Sequence, residues 1–173
     1  FPFKVLIMLL SFSIELTDVW FASCIISPGL IPFLSASEFC STLEYKDKMS
    51  GLGEIFKLLI TGGSEAFTIF KNEVDGFISG SQKSLIKLIY TSLQVKKQVV
   101  EFDEFEIDIR RSMNYGHSLG HAVEALSKYT IPHGIAVVIG ILIENKISLN
   151  RGLLSLDEEI NIGTFGRKII PDD

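Results

Sequence analysis

Residues 81–100 carry the most regular hydrophobic pattern in the chain, and this pattern limits the fold more than any other feature. Apolar residues recur on one helical face, and lysines occupy the opposite face. Such spacing is typical of an amphipathic helix that buries one side. The apolar positions are Leu85, Ile86, Leu88, Ile89, Leu93, Val99 and Val100, and the lysines are Lys83, Lys87, Lys96 and Lys97.

Two shorter helices are predicted before this one. Apolar residues recur at helical spacing through residues 51–60, and the pair Gly62-Gly63 is expected to end that helix. Ser64 is the predicted N-cap of the next helix, because its side-chain oxygen can accept a hydrogen bond from the first turn. Gly76 and Gly80 are expected to mark the break after the helix that begins at Ser64.

Three more helices are predicted in the second half of the chain, over 118–128, over 135–149 and after Ser155. The last begins with Ser155-Leu156-Asp157-Glu158, a capping-box pattern. The acidic segment 103–108 is interpreted as a solvated helix start. These patterns predict a mainly α-helical domain over residues 37–173, preceded by a short irregular or β-containing N-terminal strip over residues 1–36.

Composition excludes several classes of protein. The chain has 173 residues, is 47% hydrophobic and carries a net charge of −5, which argues against disorder and against a nucleic-acid partner. The apolar run over residues 5–14 is shorter than the roughly 20 residues of a membrane span. A buried strand or helix is favoured there over a signal peptide. Cys24 and Cys40 lack Cys-x-x-Cys spacing, which favours buried thiols and a cytoplasmic location.

All three histidines lie within residues 117–133. His117 and His121 are four residues apart, so a helix would place them on one face, and Glu124 continues that face. His133 lies between Pro132 and Gly134, a setting typical of a turn. Imidazole is a common metal ligand and titrates near neutral pH, so the cluster predicts a metal or proton-transfer site. Two unrelated histidines remain the alternative reading of His117 and His121.

Small and polar neighbours strengthen the first reading. Gly116 and Gly120 flank His117 without side chains, which permits close approach of a ligand or another helix. Asn114 could cap the helix that begins near His117 and present an amide to a substrate hydroxyl.

The segment 114–125, Asn-Tyr-Gly-His-Ser-Leu-Gly-His-Ala-Val-Glu-Ala, resembles the signature of the 3-dehydroquinate synthase and sugar-phosphate cyclase family. Arg110 precedes this segment and His133-Gly134 follows it, at spacings similar to those of the family's signature. Residues 50–57, Ser-Gly-Leu-Gly-Glu-Ile-Phe-Lys, resemble the family's Gly-x-Ala-Glu-x-x-Lys helix, and Lys96 falls where the family has another lysine. The resemblance covers about residues 37–160 and implies the helical C-terminal domain of that fold.

The resemblance implies a role for each matching residue. Glu54, His117 and His133 would bind a divalent metal, with zinc expected and cobalt as the alternative. His121 would transfer protons near the substrate. The remaining residues would bind the phosphate, carboxylate and hydroxyl groups of the substrate, and they are Lys57, Lys96, Arg110 and Asn114.

The pair Glu54 and Lys57 also has a physical interpretation. They are three positions apart along a predicted helix, so both side chains lie on one face. The carboxylate could reach a metal while the ammonium reaches an anionic substrate. The alternative is an ordinary surface ion pair worth roughly a few tenths of a kcal/mol.

The resemblance implies a carbon–oxygen lyase of the shikimate pathway that cyclises a phosphorylated seven-carbon sugar acid and eliminates phosphate. The family also uses NAD, bound largely by an N-terminal α/β domain. The chain contains no Gly-x-Gly-x-x-Gly motif, so NAD is expected to bind mainly outside this chain. Residues 1–36 would be a remnant of that domain or a linker from it. Because the chain begins with Phe1, we expect a fragment. A homodimer is a separate expectation.

Two alternatives remain at the level of sequence. One is an iron-containing alcohol or glycerol dehydrogenase, whose helical domain also supplies histidine ligands. Glu54 favours the cyclase, because those dehydrogenases have aspartate as the first ligand. The other alternative is a non-catalytic helical remnant that acts only as an interaction module.

Overall fold

The computed structural model describes residues 43–171 and contains helices but no strand in that range. The prediction of a mainly α-helical chain is therefore confirmed, whereas the predicted strip over residues 1–36 lies outside the described residues. The α-helices are α1 (Tyr45–Thr61), α2 (Ser64–Ile78), α3 (Gln82–Phe102), α4 (His117–Leu126), α5 (His133–Asn150) and α6 (Leu156–Arg167), with a 3-10 helix at Ile109–Asn114.

The described residues fall into two compact units. The first contains Leu58–Arg111, and the second contains Tyr45–Lys57 together with residues 112–171. Helix α1 therefore contributes its first part to the second unit and its last turn to the first.

The first unit is built on the pairing of α2 with α3. Phe70, Val74, Leu88 and Leu93 are buried in its core. The prediction that Gly76 breaks α2 is wrong, since the helix continues to Ile78. A Cβ atom at position 76 would lie 2.2 Å from Ser84 Oγ, so glycine there allows the two helices to approach closely.

The start of α2 also differs from the prediction. Gly63, not Ser64, is the N-cap, and no side chain caps this helix. Gly63 has φ of 92°, in the region that favours glycine, and this places Ser64 at the first helical position. The predicted break at Gly80 is confirmed, because that residue follows the end of α2 with φ of 88°.

The acidic segment 103–108 does not begin a helix, and the predicted solvated helix start is wrong. Asp103 is buried and ends α3, and its carboxylate accepts hydrogen bonds from the backbone N–H groups of Ile107, Asp108 and Arg110 at 2.8 to 3.0 Å. Burial favours a higher pKa for Asp103, but these hydrogen bonds and the Arg110 charge outweigh it and lower the pKa. Asp103 therefore fixes the loop before the 3-10 helix.

Helix α5 is the core of the second unit. It packs against α4 and α6, and Ile135, Val137, Val138 and Ile141 are buried along it. Glycines bring α4 and α5 together, since a Cβ atom at Gly140 would lie 2.1 Å from the Gly116 carbonyl oxygen. The capping box predicted at the start of α6 is confirmed.

The beginning of α4 corrects one sequence prediction. Asn114 does not cap this helix, because it ends the preceding 3-10 helix and Gly116 is the N-cap. Gly116 has φ of 76°, a left-handed conformation that a side chain would disfavour. The Gly116 N–H donates to Glu144 Oε2 at 3.0 Å. A side chain of α5 therefore accepts a hydrogen bond at the start of α4, where Gly116 has no side chain to do so.

None of the helices within residues 43–171 is both long and apolar enough to cross a membrane.

Candidate metal centre

Helix α1 presents Glu54 and Lys57 from one face, as their spacing predicted. Lys57 Nζ donates to Glu54 Oε2 at 2.8 Å. Glu54 is 1% exposed and Lys57 is 3% exposed. The alternative reading as a surface ion pair is therefore wrong. Burying two charges is costly unless both are paired. The burial of Glu54 and Lys57 therefore indicates that the pair has a role other than keeping the protein soluble.

A close helix crossing brings Glu54 to the histidines. Gly53 on α1 meets Gly134 on α5, and a Cβ atom at Gly53 would lie 2.3 Å from the Gly134 carbonyl oxygen. The Gly134 N–H is also donated to Ser50 Oγ at 3.0 Å. At this crossing Glu54 Oε1 lies 3.4 Å from His133 Nε2.

The three imidazole rings form a compact triangle in the second unit. The ring centroids of His117 and His121 are 5.5 Å apart, those of His117 and His133 are 5.3 Å apart, and those of His121 and His133 are 5.7 Å apart. His117 begins α4, His121 follows one turn later, and His133 begins α5. The predicted one-face placement of His117 and His121 is confirmed, and the third ring returns to the same place.

Burial strongly affects His117. Its partial burial, together with the nearby charge of Lys57, lowers the pKa of His117 from 6.5 to about 4, although Glu54 opposes the shift. The Lys57 Nζ atom lies 3.5 Å from His117 Nε2. His117 is therefore neutral at pH 7, which is the form that binds metals.

This shift predicts a pH dependence of the metal-free protein. Because the folded-state pKa of His117 is about 4, below the ordinary 6.5, the folded state binds fewer protons than the unfolded state between these values. The stability contributed by neutral His117 is thus fully present above about pH 6.5 and is lost as the pH falls toward 4. An NMR titration of the His117 ring with EDTA present should give a midpoint near pH 4.

His117→Gln provides the control for this titration. Urea unfolding of this variant should depend less steeply on pH between 6.5 and 4 than unfolding of the parent chain. A His117 midpoint near 6.5, or an unchanged slope in the variant, would contradict the prediction.

The donor atoms fit a divalent cation. One ligand atom from each of Glu54, His117 and His133 lies within 4.8 Å of the others. Two ligands of a tetrahedral zinc lie roughly 3.4 Å apart, given bonds of about 2.0–2.2 Å, which matches the 3.4 Å between Glu54 Oε1 and His133 Nε2. Glu54 Oε1 is buried and accepts no hydrogen bond from any residue within 43–171. A buried carboxylate oxygen without a donor is costly, and a cation would satisfy it.

Comparison with known proteins decides the family. The family model described as 3-dehydroquinate synthase C-terminal matches residues 51–167. The chain belongs to the 3-dehydroquinate synthase family. This assignment favours the cyclase reading of the sequence over the dehydrogenase reading.

Three curated relatives illustrate the similarity, all named 3-dehydroquinate synthase. The protein of Pelotomaculum thermopropionicum is 36% identical over 68% of this chain and 32% of its own length. The protein of Streptococcus pyogenes is 35% identical over 71% of this chain and 34% of its own, and that of Clostridium tetani is 34% identical over 65% and 30%. The chain thus spans about a third of the length of these relatives.

The predicted site residues of this 3-dehydroquinate synthase family member are divided between the two units. The second unit brings together Glu54, Lys57 and the three histidines, and it also contains Asn114, which is exposed. Lys96 and Arg110 belong to the first unit, where both are buried. Arg110 Nη1 donates to the Glu104 carbonyl at 2.6 Å. The substrate-binding roles of Lys96, Arg110 and Asn114 remain predictions.

Sequence reasoning did not identify the contact between Glu124 and His133. Its Oε2 atom lies 3.1 Å from His133 Nδ1, and His121, Glu124 and His133 form a second group with metal-ligand spacing. The available signal was position, because Glu124 follows His121 by three residues on the same helical face.

Sequence reasoning also missed how the chain before His117 is held in place. The Tyr115 hydroxyl donates to Asn145 Oδ1 on α5, beside the Glu144 carboxylate that accepts from Gly116. Burial and the charge of Glu144 raise the pKa of Tyr115 to about 12, so the hydroxyl keeps its proton. No local pattern in the sequence indicates these contacts.

Proposed function

We propose that this chain supplies the metal- and substrate-binding part of a 3-dehydroquinate synthase. The reaction would cyclise a phosphorylated seven-carbon sugar acid with loss of phosphate, as a step of aromatic amino acid biosynthesis. The observation that supports this most directly is the convergence of His117 and His133 on Glu54, whose buried Oε1 accepts no hydrogen bond from the part of the chain that the structure describes.

Glu54, His117 and His133 would hold the metal, with zinc as the proposed ion and cobalt as the alternative. When bound, such a cation supplies Lewis acidity toward adjacent substrate hydroxyl oxygens. Lys57 fixes the Glu54 carboxylate through their 2.8 Å ion pair and adds positive charge close to His117. His117 is neutral at pH 7, so metal binding there need not displace a proton.

His121 is the proposed proton-transfer residue. It is exposed, unlike Glu54, and its ring is within 5.7 Å of both other imidazoles by centroid distance. A side chain at the solvent edge of the cluster can exchange its proton with water and with a bound hydroxyl group.

The anionic groups of the substrate need positive charge and forked donors. We assign the anionic groups to Lys57, Lys96 and Arg110, since guanidinium and ammonium groups bind phosphate and carboxylate strongly. Asn114 would bind a substrate hydroxyl through its amide. NAD is the proposed second cofactor, bound mainly by residues outside this chain. The proposal places the protein in the cytoplasm, without a nucleic-acid partner, and includes a homodimer.

Metal binding by the purified chain tests this function. We expect one zinc or cobalt ion per chain, lost in His117→Ala and retained in His121→Ala, because His117 is a proposed ligand and His121 is not. The His121→Ala variant should instead lose the release of phosphate from the sugar-acid substrate in the presence of NAD and the nucleotide-binding domain. Absence of stoichiometric metal in the parent chain, or equal metal content in His117→Ala, would contradict the proposal.

A further inference from the structure

We infer that Glu124 is a positioning residue that fixes the ring of His133, so that Nε2 is directed at Glu54 and at the metal. This inference rests on the proposed metal site, and it assigns a function to a carboxylate that the site itself does not use. Glu124 lies on α4 and His133 begins α5, so the contact joins two helices.

The geometry of His133 defines what each of its nitrogen atoms can do. Nδ1 lies 3.1 Å from Glu124 Oε2, and Nε2 lies 3.4 Å from Glu54 Oε1. The Glu124 side chain is 13% exposed and that of His133 is 25% exposed, so water competes only partly for this contact. The imidazole is therefore held between two carboxylates on opposite edges.

An ionised carboxylate only accepts hydrogen bonds, so a proton on Nδ1 satisfies Glu124. In the neutral ring, Nε2 then carries a lone pair that faces the Glu54 oxygen. Two acceptors facing each other are unfavourable until a proton or a metal ion lies between them. Glu124 thereby selects the tautomer that a metal site at Glu54 requires.

His117 is held in a parallel way. Its Nδ1 lies 3.3 Å from the carbonyl oxygen of Tyr115, another group that only accepts, and its Nε2 faces Lys57 near Glu54. Both proposed ligand histidines therefore have Nδ1 beside an acceptor, while Nε2 of His133 faces Glu54 and Nε2 of His117 faces the Lys57 ammonium that is paired with Glu54. This shared arrangement supports a positioning role for Glu124.

A second metal bound by His121, Glu124 and His133 is the competing explanation for the same contact. It would need the Nδ1 lone pair of His133 while Nε2 binds the first metal. A neutral imidazole has only one lone pair of this kind, so both sites could be filled together only by an imidazolate. The exposure of His121 also makes this group more hydrated than the one around Glu54.

Zinc affinity and ring tautomer together test the inference. Glu124→Leu removes the acceptor and should weaken zinc binding by about 10- to 100-fold. Glu124→Gln keeps an acceptor oxygen and should lose less. Glu159→Leu is the matched control in the same unit, because Glu159 lies 3.9 Å from Lys146 and pairs with no histidine there; its affinity should match the parent. Nitrogen-15 NMR of the metal-free protein, at a pH where the His133 ring is neutral, should show it protonated on Nδ1 in the parent and as a mixture of tautomers in Glu124→Leu.

Several results would overturn the inference. These are equal zinc affinity in Glu124→Leu and the parent, a neutral parent ring that carries its proton on Nε2, or two zinc ions per parent chain with one lost in Glu124→Leu. The last result would make Glu124 a ligand. If the parent binds no zinc, the proposed function fails, whereas the metal-free tautomer measurement still decides the role of Glu124.

Discussion

Glu54→Leu should destabilise the metal-free protein by about 3–5 kcal/mol, as expected when one partner of a buried ion pair is removed. Lys57 is only 3% exposed and would lose the carboxylate that lies 2.8 Å from its ammonium group. Urea unfolding in the presence of EDTA measures the free energy directly. The variant should also lose zinc binding, because Glu54 is a proposed ligand.

The double variant Glu54→Leu with Lys57→Met separates these two effects. Replacing both charges by apolar side chains of similar size also removes the buried ammonium group that had lost the Glu54 carboxylate, so stability should recover most of the loss. Zinc binding should not recover, because the carboxylate remains absent. Stability and metal binding would thus be uncoupled within one pair of residues.

Glu101→Leu is the matched control for this experiment. Glu101 pairs with Lys97 at 3.7 Å, but the Glu101 side chain is 53% exposed. Removing an exposed partner should cost less than about 1 kcal/mol. A Glu54→Leu variant that loses no more stability than Glu101→Leu would show that burial does not govern the pair.

Gly134→Ala is expected to disrupt both folding and metal binding. Its Cβ atom would lie 1.8 Å from the Ser50 carbonyl oxygen, a backbone atom that cannot rotate away. Helices α1 and α5 would have to separate, and overpacking of this kind costs about 1–3 kcal/mol or more. The separation would also increase the distance between Glu54 and His133, so zinc affinity should fall.

Gly51→Ala is the control on the same helix. A Cβ atom at position 51 would meet nothing within 4 Å. Since glycine inside a helix is less favourable than alanine by roughly 0.5–1 kcal/mol, this variant should be stabilised by about that amount. Thermal unfolding and zinc titration of both variants provide the test, and equal behaviour would contradict the role given to the crossing.

Local sequence patterns predicted most of the helices and the shared helical face of His117 and His121 in the candidate site. The periodicity of residues 81–100 corresponds to α3, and Ser155 with Glu158 caps α6 as predicted. The His117 and His121 spacing placed both rings on one helical face. These features depend on neighbours within one or two helical turns, so the local sequence is sufficient to predict them.

Sequence patterns did not predict the features that depend on contacts between distant residues. Gly76 was mistaken for a helix break because only the packed structure places Ser84 against it. Asp103 was assigned to a solvated helix start because its three backbone donors come together only in the folded loop.

The sequence by itself determined the helical character of this protein and the residue types of its candidate metal site. Only the tertiary structure decided that Glu54 meets His133 across the contact of Gly53 with Gly134, and that Glu124 holds the opposite edge of the same ring. The reason is that helix crossing and side-chain burial arise from contacts between segments far apart in the chain, which no local pattern encodes.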